Sequence, residues 1–541
     1  MKKTKKTILR ITGLLAVIFA LSSFKIDFFE VAKQIEIYNT LFKEINMSYV
    51  DETNPSELME VGVKKMLSEL DPYTVYSSEQ DVESAKMKQA GDFVGIGCKL
   101  RFIKNELTVV EVHKNLPADK SGIRPGDKLV EINGVNVLGF KDGVAALLEG
   151  KKNTQVNIKL IRDGNEKVIL IKRGGEKVKA VPIFKLISGD MGYIALSKFS
   201  RGSAKEVESA LKFLMIDEAK GLILDLRDNP GGLLSEAVEI VNLFVPKGQL
   251  IVSTKSNIKQ YNSQFITRKQ PLNIDIPIVV LINERSASAS EIVAGALQDL
   301  DRAVVVGKRS FGKGLVQQPK PLPYGAQIKI TISRYYTPSG RCIQALNYRK
   351  RKESGKAERY DPNEESFFTK NGRTVYGGGG VEPDIYTAVK HPFNIISALK
   401  KENLFFTYAV NFIRKNKIKS IEDFELKENH FGQFKQFCIS SGFNLGTTTE
   451  ATLNKAILAS EDESLFLISK KLKSVISSMK NEKEDIFNIK KEDILSTLSR
   501  EIIKINFYKE GLYNYSFLKD KSIKKGLEIL VDTSFYYSIL K

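Results

Sequence analysis

From Phe28 onward, apolar residues recur at three- and four-residue spacing. "FEVAKQIEIYNTLFKEINMSYV" (29–50) reads as an amphipathic helix, and "NPSELMEVGVKKMLSELDPYT" (54–74) as a second one closed by Asp71-Pro72. A helical region over residues 25–90 is expected. Around Gly91 the period drops to two. "GDFVGIGCKLRF" and "ELTVVEVH" alternate as strands do, and "GIRPGDKLVEINGVNV" carries the glycine and proline punctuation of tight turns. "NTQVNIKLIRDGNEKVILIKR" predicts a hairpin turned at Asp163-Gly164. Residues 91–175 thus read as a small β module.

From Met191 the texture changes again. "GYIALSKF" predicts a strand, and "SAKEVESALKFLMIDEA" an amphipathic helix. "GLILDLR" is a continuous apolar run, as a strand buried on both faces requires. A turn at Pro230-Gly231-Gly232 leads into the helix "LLSEAVEIVNLFV", and "IPIVVLIN" and "RAVVVG" are further buried strands. The alternation predicts a largely parallel sheet with crossover helices over residues 176–390, in which 347–375 are a charged, turn-rich insertion. Residues 391–541 read as lysine-rich amphipathic helices with no nameable chemistry.

Composition refines this picture only in part. A chain of 541 residues holds several domains. The net charge of +19 comes from lysines spread over every region, without an arginine-rich or aromatic-interleaved block, so no nucleic-acid partner is expected. Cys98, Cys342 and Cys438 are too far apart for a zinc knuckle or a C-x-x-C pair, and they do not identify the compartment. The N-terminus says more. "MKKTKKTILR" followed by the uncharged run Ile11–Phe24 has the basic and apolar regions of an export signal, and residues 1–24 are expected to be a signal peptide or a retained membrane anchor. Work outside the cytoplasm follows, in the periplasm or on the outer face of the inner membrane.

The richest stretch is "NERSASASEIVAGALQDLDRAVVVGKRSFGKGLVQQ". Its Gly307–Lys313 segment has the spacing of a phosphate loop. However, Gly314 stands where Ser or Thr should hold magnesium, and the prolines at 319, 321 and 323 block a following helix. Ser288 and Glu291 have capping-box spacing, which is a purely structural reading. The third reading is a serine nucleophile with a lysine base. Free lysine has a pKa near 10.4, and bringing it to about 7 costs roughly 4–5 kcal/mol, which burial can supply. Lys313 lies between glycines after Ser288, and a serine at a strand-to-helix junction has backbone N–H groups beside any oxyanion it creates. In "DFVGIG", the N–H groups near Gly95, Ile96 and Gly97 can form an anion nest at the head of a strand, able to receive a peptide carboxylate.

This stretch closely resembles the C-terminal processing peptidases, or tail-specific proteases. "LDLRDNPGGLL" (224–234), "YYTPSGRCIQ" (335–344) and "GGGVEPD" (378–384) resemble that family's other core motifs in the same order, and "GIGCKLRF…LPADKSGIRPGDKLVEINGV" resembles its PDZ domain. The resemblance covers roughly residues 30–390. It implies a multidomain α/β fold: a ClpP/crotonase-like catalytic core (176–390), a PDZ domain (91–175), a helical N-terminal segment and a helical C-terminal extension. It implies Ser288 as nucleophile, Lys313 as general base and Gln317 as the residue orienting that lysine, a mechanism that requires no metal or organic cofactor. An oxyanion hole of Ala289 and Gly232 (or Gly231), and substrate binding at Gly95, Ile96 and Gly97, follow in the same way. The partners implied are protein substrates with apolar C-terminal tails, and an adaptor, membrane anchoring and a homo-oligomer stay open. The competing class is a membrane-held PDZ scaffold without protease activity, which would have no need of Ser288 and Lys313 together.

Overall fold

The computed structural model describes residues 28–83, 93–140, 143–174, 178–351, 355–362, 364–387, 395–443 and 446–541. The expected leader, residues 1–24, lies outside them. Among the described residues no helix is long and apolar enough to cross a membrane. The chain divides into two compact units at Tyr76 and Ser77.

The first unit contains α1 (Phe28–Ser48) and α2 (Pro55–Ser68). Asn54 caps α2 by accepting from the Glu57 N–H, and Pro55 takes the position where a missing N–H costs nothing. Asp71 then accepts from the N–H groups of Tyr73 and Thr74, so the Asp-Pro turn closes on its own side chain. The helical reading is interrupted there, because β-branched Val75 and aromatic Tyr76 are extended, and it resumes at 79–83.

The second unit opens with the β module: β1 (Cys98–Ile103), β2 (Glu106–Val112), β3 (Lys128–Ile132), β4 (Gln155–Arg162) and β5 (Asn165–Lys172), hydrogen-bonded in that order. Along β4 the alternation is clean, with Val156, Ile158 and Leu160 fully buried against Val109, Leu129 and Ile132. The β4–β5 hairpin turns at Asp163 (φ 54°) and Gly164 (φ 81°), the doubly left-handed turn that matches strand twist.

Next comes the α/β core. Its sheet contains β6 (Ile183–Ile187), β7 (Met191–Ala195), β8 (Gly221–Asp225), β9 (Ile278–Ile282), β10 (Val304–Gly307) and, after a hairpin of β11 (Leu315–Pro321) with β12 (Gln327–Tyr336), β13 (Ile385–Tyr386). The order is β6-β7-β8-β9-β10-β13, all parallel except β6. Residues alternate between two hydrophobic layers. Leu222, Leu224 and Val280 face α3 (Ser203–Ile216), α4 (Leu234–Asn242) and α5 (Ala289–Asp299). Ile223, Val279 and Leu281 face the other way.

That second layer changes the reading of residues 391–541. Helices α6 (Ile395–Lys401), α7 (Leu404–Lys415), α8 (Glu428–Ser440) and α9 (Lys491–Lys519) build a core of their own around Phe405, Phe434, Ile494 and Ile502. The end of the chain, α10 (Lys521–Val531) and α11 (Thr533–Ile539), instead lays Ile523, Ile529, Leu530 and Tyr536 on the sheet. The Tyr536 hydroxyl even accepts from the Ile278 N–H of β9. A strand buried on both faces needs a cover on each, and here the last helices provide the second one.

Candidate active site

β9 ends at Ile282, and a short turn carries the chain to Ser288, the N-cap of α5. Ser288 has φ 56°, a left-handed conformation that costs a serine free energy. Its Oγ takes no cap bond, so half of the expected capping box is missing. The other half forms: the Ser288 N–H donates to Glu291 Oε2 (2.8 Å).

Glu291 does more than cap. It is fully buried, and the same Oε2 accepts from the Lys313 N–H (2.9 Å), while Oε1 accepts from the Gly312 N–H (2.7 Å) and the Ser310 hydroxyl. Burial pushes its pKa up to about 7, against the pull of these four donors. On the carbonyl side, the buried Tyr335 hydroxyl is shared by Ser288 O (3.1 Å) and Lys313 O (2.7 Å). One carboxylate therefore holds both amides and one phenol holds both carbonyls. Ser288 and Lys313, 25 positions apart in sequence, are adjacent in backbone, and both side chains are half-buried.

The amides that a phosphate loop would turn on a phosphate are used up here. Gly312 and Lys313 serve Glu291, and Gly314 donates to Gln344 Oε1 (2.8 Å). Two other amides stay unused by the backbone. In the first turn of α5 the N–H groups of Ser290, Glu291 and Ile292 go to Ala287 and Ser288 carbonyls, while that of Ala289 has no backbone partner among the described residues. In the glycine turn, Phe199 N donates to Gly231 O (3.0 Å), and Leu233 N donates to Phe199 O (2.9 Å). A trans peptide points its C=O and N–H in opposite directions, so the Gly232 N–H faces away from Phe199. Gly231 lies directly on the serine loop: a Cβ there would meet Ala287 O at 2.6 Å and Ala289 N at 2.9 Å.

The neighbouring serines are engaged elsewhere. Ser286 Oγ donates to Leu226 O (2.8 Å), and Ser290 Oγ donates to Asn229 O (2.9 Å). Gln317 donates to Thr331 Oγ1 (3.3 Å) across the β11–β12 hairpin, so its amide is turned to that hydroxyl. At the β module, Gly97 has φ 83°, and the carbonyls of Ile96 and Gly97 accept from Ala118 and His113. This leaves the nest amides outside those bonds.

Sequence reasoning missed the second function of Glu291, the bridging Tyr335, and the buried Asn229. Asn229 Oδ1 accepts from the Gly231 N–H and its carbonyl accepts from Ala287, tying the glycine turn to the serine loop. The S-x-x-E spacing held the signal for Glu291; nothing local held one for Tyr335.

This arrangement defines the class: a multidomain α/β protein with a small β module before its core. Three family models match. Residues 190–348 match "Peptidase family S41", 94–172 match "PDZ domain" and 395–530 match "Probable PDZ-protease, C-terminal helical domain". A "Carboxy-terminal-processing protease" of Bartonella bacilliformis is 34% identical over 319 residues, which are 58% of this chain and 73% of that protein. A "Probable CtpA-like serine protease" of Staphylococcus haemolyticus is 35% identical over 318 residues, 58% of this chain and 63% of that one. The chain belongs to peptidase family S41, the carboxy-terminal-processing proteases. It spans somewhat less than two thirds of the length of the staphylococcal relatives it matches. Among solved structures, the photosystem II D1 C-terminal processing protease aligns with 25% identity over 59% of this chain and 90% of that one, with a TM-score of 0.38.

Proposed function

We propose that this chain is an exported serine endopeptidase that selects protein substrates by their C-terminal tails. The observation that carries the reading is the shared clamp: Glu291 and Tyr335 fix Ser288 and Lys313 side by side, with the Ala289 and Gly232 amides left over next to them. Ser288 Oγ attacks the peptide carbonyl carbon, and Lys313 Nζ takes the hydroxyl proton. The oxyanion draws on the Ala289 and Gly232 N–H groups. As the intermediate collapses, the C–N bond breaks and Lys313 passes its proton to the leaving amine; water then hydrolyses the acyl-enzyme. Gln317, on the hairpin that follows Lys313, would orient the lysine amine, its own amide nitrogen donating to Thr331.

The PDZ domain presents the amides of Gly95, Ile96 and Gly97 to a substrate carboxylate, and the tail adds as a strand beside β1. The basic leader of residues 1–24 directs the chain to the periplasm or the outer face of the inner membrane.

Incubation of the pure protein with an unstructured substrate, with products resolved by mass spectrometry, tests the reading. Wild type should cleave; Ser288→Ala and Lys313→Ala should each abolish cleavage while keeping the fold, because nucleophile and base act as a unit. Ser286→Ala and Ser290→Ala should keep most activity. Cleavage that survives Ser288→Ala would overturn the proposal, and tail binding without any cleavage would favour the scaffold.

A further inference from the structure

The loop that carries Gly231 and Gly232 leaves β8 at Asp225 and is held at two points. Asn229 ties it to the serine loop through its backbone carbonyl, which accepts from the Ala287 N–H and the Ser290 hydroxyl, while its side chain bonds Leu196 O and the Gly231 N–H. The Arg227 side chain reaches into the helical region. Its Nε and Nη2 lie on both oxygens of Asp225 (2.6–3.1 Å), and its Nη1 lies on both oxygens of Asp520 (2.8 and 2.9 Å). Asp520 is the residue between α9 and α10, and it also caps α10 by accepting from Ser522 and Ile523 N–H groups. Arg500 of α9 closes the group from outside (3.4 Å). The second partner of Asp225, the buried Tyr193 hydroxyl (2.6 Å), rests edge-on against Phe517 of α9 (4.7 Å between centroids). Both groups that hold Asp225 are thus backed by residues from the end of α9.

We infer that Asp520 is a positioning residue for the Gly231–Gly232 turn, supplied to the protease core by the helical region. The inference rests on reading that turn as part of an oxyanion site. Two charges on Asp225 and Asp520 are balanced by two on Arg227 and Arg500, so removing the Asp520 charge leaves a buried excess cation next to the loop. The side chains of Arg227 and Asp520 are only 15% and 12% exposed, so water cannot easily take over the lost contact. Arg227 is four residues from Gly231 on a loop whose other anchor, Asn229, is fully buried. Freeing one anchor lets the Gly232 amide drift, and a misplacement of about 1 Å can cost on the order of 100-fold in rate.

Asp520→Asn and Asp520→Ser make the test, since Asn and Ser both keep a good helix cap and remove the charge. Hydrogen exchange of the Gly231–Leu233 amides, followed by mass spectrometry, should speed up in both variants, including in a Ser288→Ala background where no turnover occurs. On a peptide substrate kcat should fall about 10- to 100-fold with KM within about twofold, and a peptide boronate, which needs the oxyanion contacts, should lose affinity by a similar factor. Arg500→Gln, a half-exposed and gentler change, should give a graded loss of about two- to fivefold on the same argument. Unchanged kcat and unchanged exchange at 231–233 in folded variants would overturn the inference. So would failure of both Asp520 variants to fold while Arg500→Gln behaves as wild type, because Asp520 would then be structural only. If wild type shows no Ser288-dependent cleavage, it is the peptidase reading that fails, and faster exchange at 231–233 would show the coupling on its own.

Discussion

At pH 8, above its folded pKa of about 7, Glu291 is a carboxylate, and replacing it by Gln there removes one charge and changes almost no volume, so its effect isolates the clamp. The carboxylate has four acceptor sites facing four donors: the N–H groups of Ser288, Gly312 and Lys313 and the Ser310 hydroxyl. A glutamine amide can accept only on its oxygen. If that oxygen serves Ser288 and Lys313, the NH₂ meets Gly312 and Ser310. Ser310 can rotate to accept, although the Val381 N–H already donates to that oxygen, and the Gly312 N–H is left buried and unpaired. An orphaned buried donor costs about 1–3 kcal/mol, and the remaining bonds lose their charge assistance, so a destabilisation of roughly 3 kcal/mol is expected. The other amide orientation is worse for catalysis, because it turns the NH₂ on Ser288 and Lys313 themselves. Either way the two residues separate, and kcat should fall about 10- to 100-fold. The assay is kcat and KM on a peptide, beside urea unfolding followed by far-UV circular dichroism, since the chain has no tryptophan. A Glu291→Gln protein with kcat within twofold of wild type and an unchanged urea midpoint would refute the clamp.

The remaining expectations follow from the same geometry. Glu291 in the folded protein has its pKa pushed up to about 7 from 4.5, so the folded state holds the proton more tightly. Stability should therefore fall as pH rises from about 4.5 to 7, by on the order of 3 kcal/mol, and be flat in this group above that; urea midpoints of wild type at pH 5 and 8 should separate more than those of Glu291→Gln, and parallel shifts would contradict it. Gly97 has φ 83°, and a Cβ there would meet Leu116 Cβ at 2.5 Å, so Gly97→Leu should distort the nest and erase any preference for a free apolar tail over an amidated one, read from paired cleavage rates. Deleting residues 521–541 strips Ile523, Ile529, Leu530, Tyr536 and Leu540 from the sheet; at about 1.5–3 kcal/mol each the loss rivals the stability of a whole domain, and the truncated protein should show lost cooperativity and rapid digestion in limited proteolysis.

Much of the fold was written in local pattern. The apolar runs 222–224 and 276–282 announced strands with both faces covered, and Asp163-Gly164 announced its turn type. Period-two and helical spacing report only which face of an element is buried, however, not what covers it. The amphipathic stripe of α10 is as plain in sequence as that of α3, yet nothing nearby says that its cover is Ile223 and Val279, some 250–300 residues upstream. Asp520 was readable as a helix cap from the residues after it; its pairing with Arg227 was not, because the partner arrives through tertiary structure. Tyr335 was invisible for the same reason: it is one more aromatic on a strand until β12 delivers its hydroxyl to two carbonyls at once.

The Ser288–Glu291 pair shows how two readings of one spacing can share the same residues. In an ordinary capping box, the serine oxygen accepts from the third residue of the helix while the glutamate accepts from the serine amide. Here the left-handed φ of Ser288 takes its Oγ out of that exchange, and only the glutamate half forms. Losing the serine cap costs about 1 kcal/mol, and the unusual backbone conformation adds roughly 1–3 more. The surrounding structure makes up that deficit through Glu291, which recruits the amides of Gly312 and Lys313, and through Tyr335, which binds the carbonyls of both partners. The helix gives up a cap, and in return a serine hydroxyl at the positive end of α5 has no hydrogen-bond partner among the described residues, beside a lysine whose amide is held by the same carboxylate. A residue chosen only to start a helix would gain nothing from that exchange; the nucleophile proposed for this position needs it.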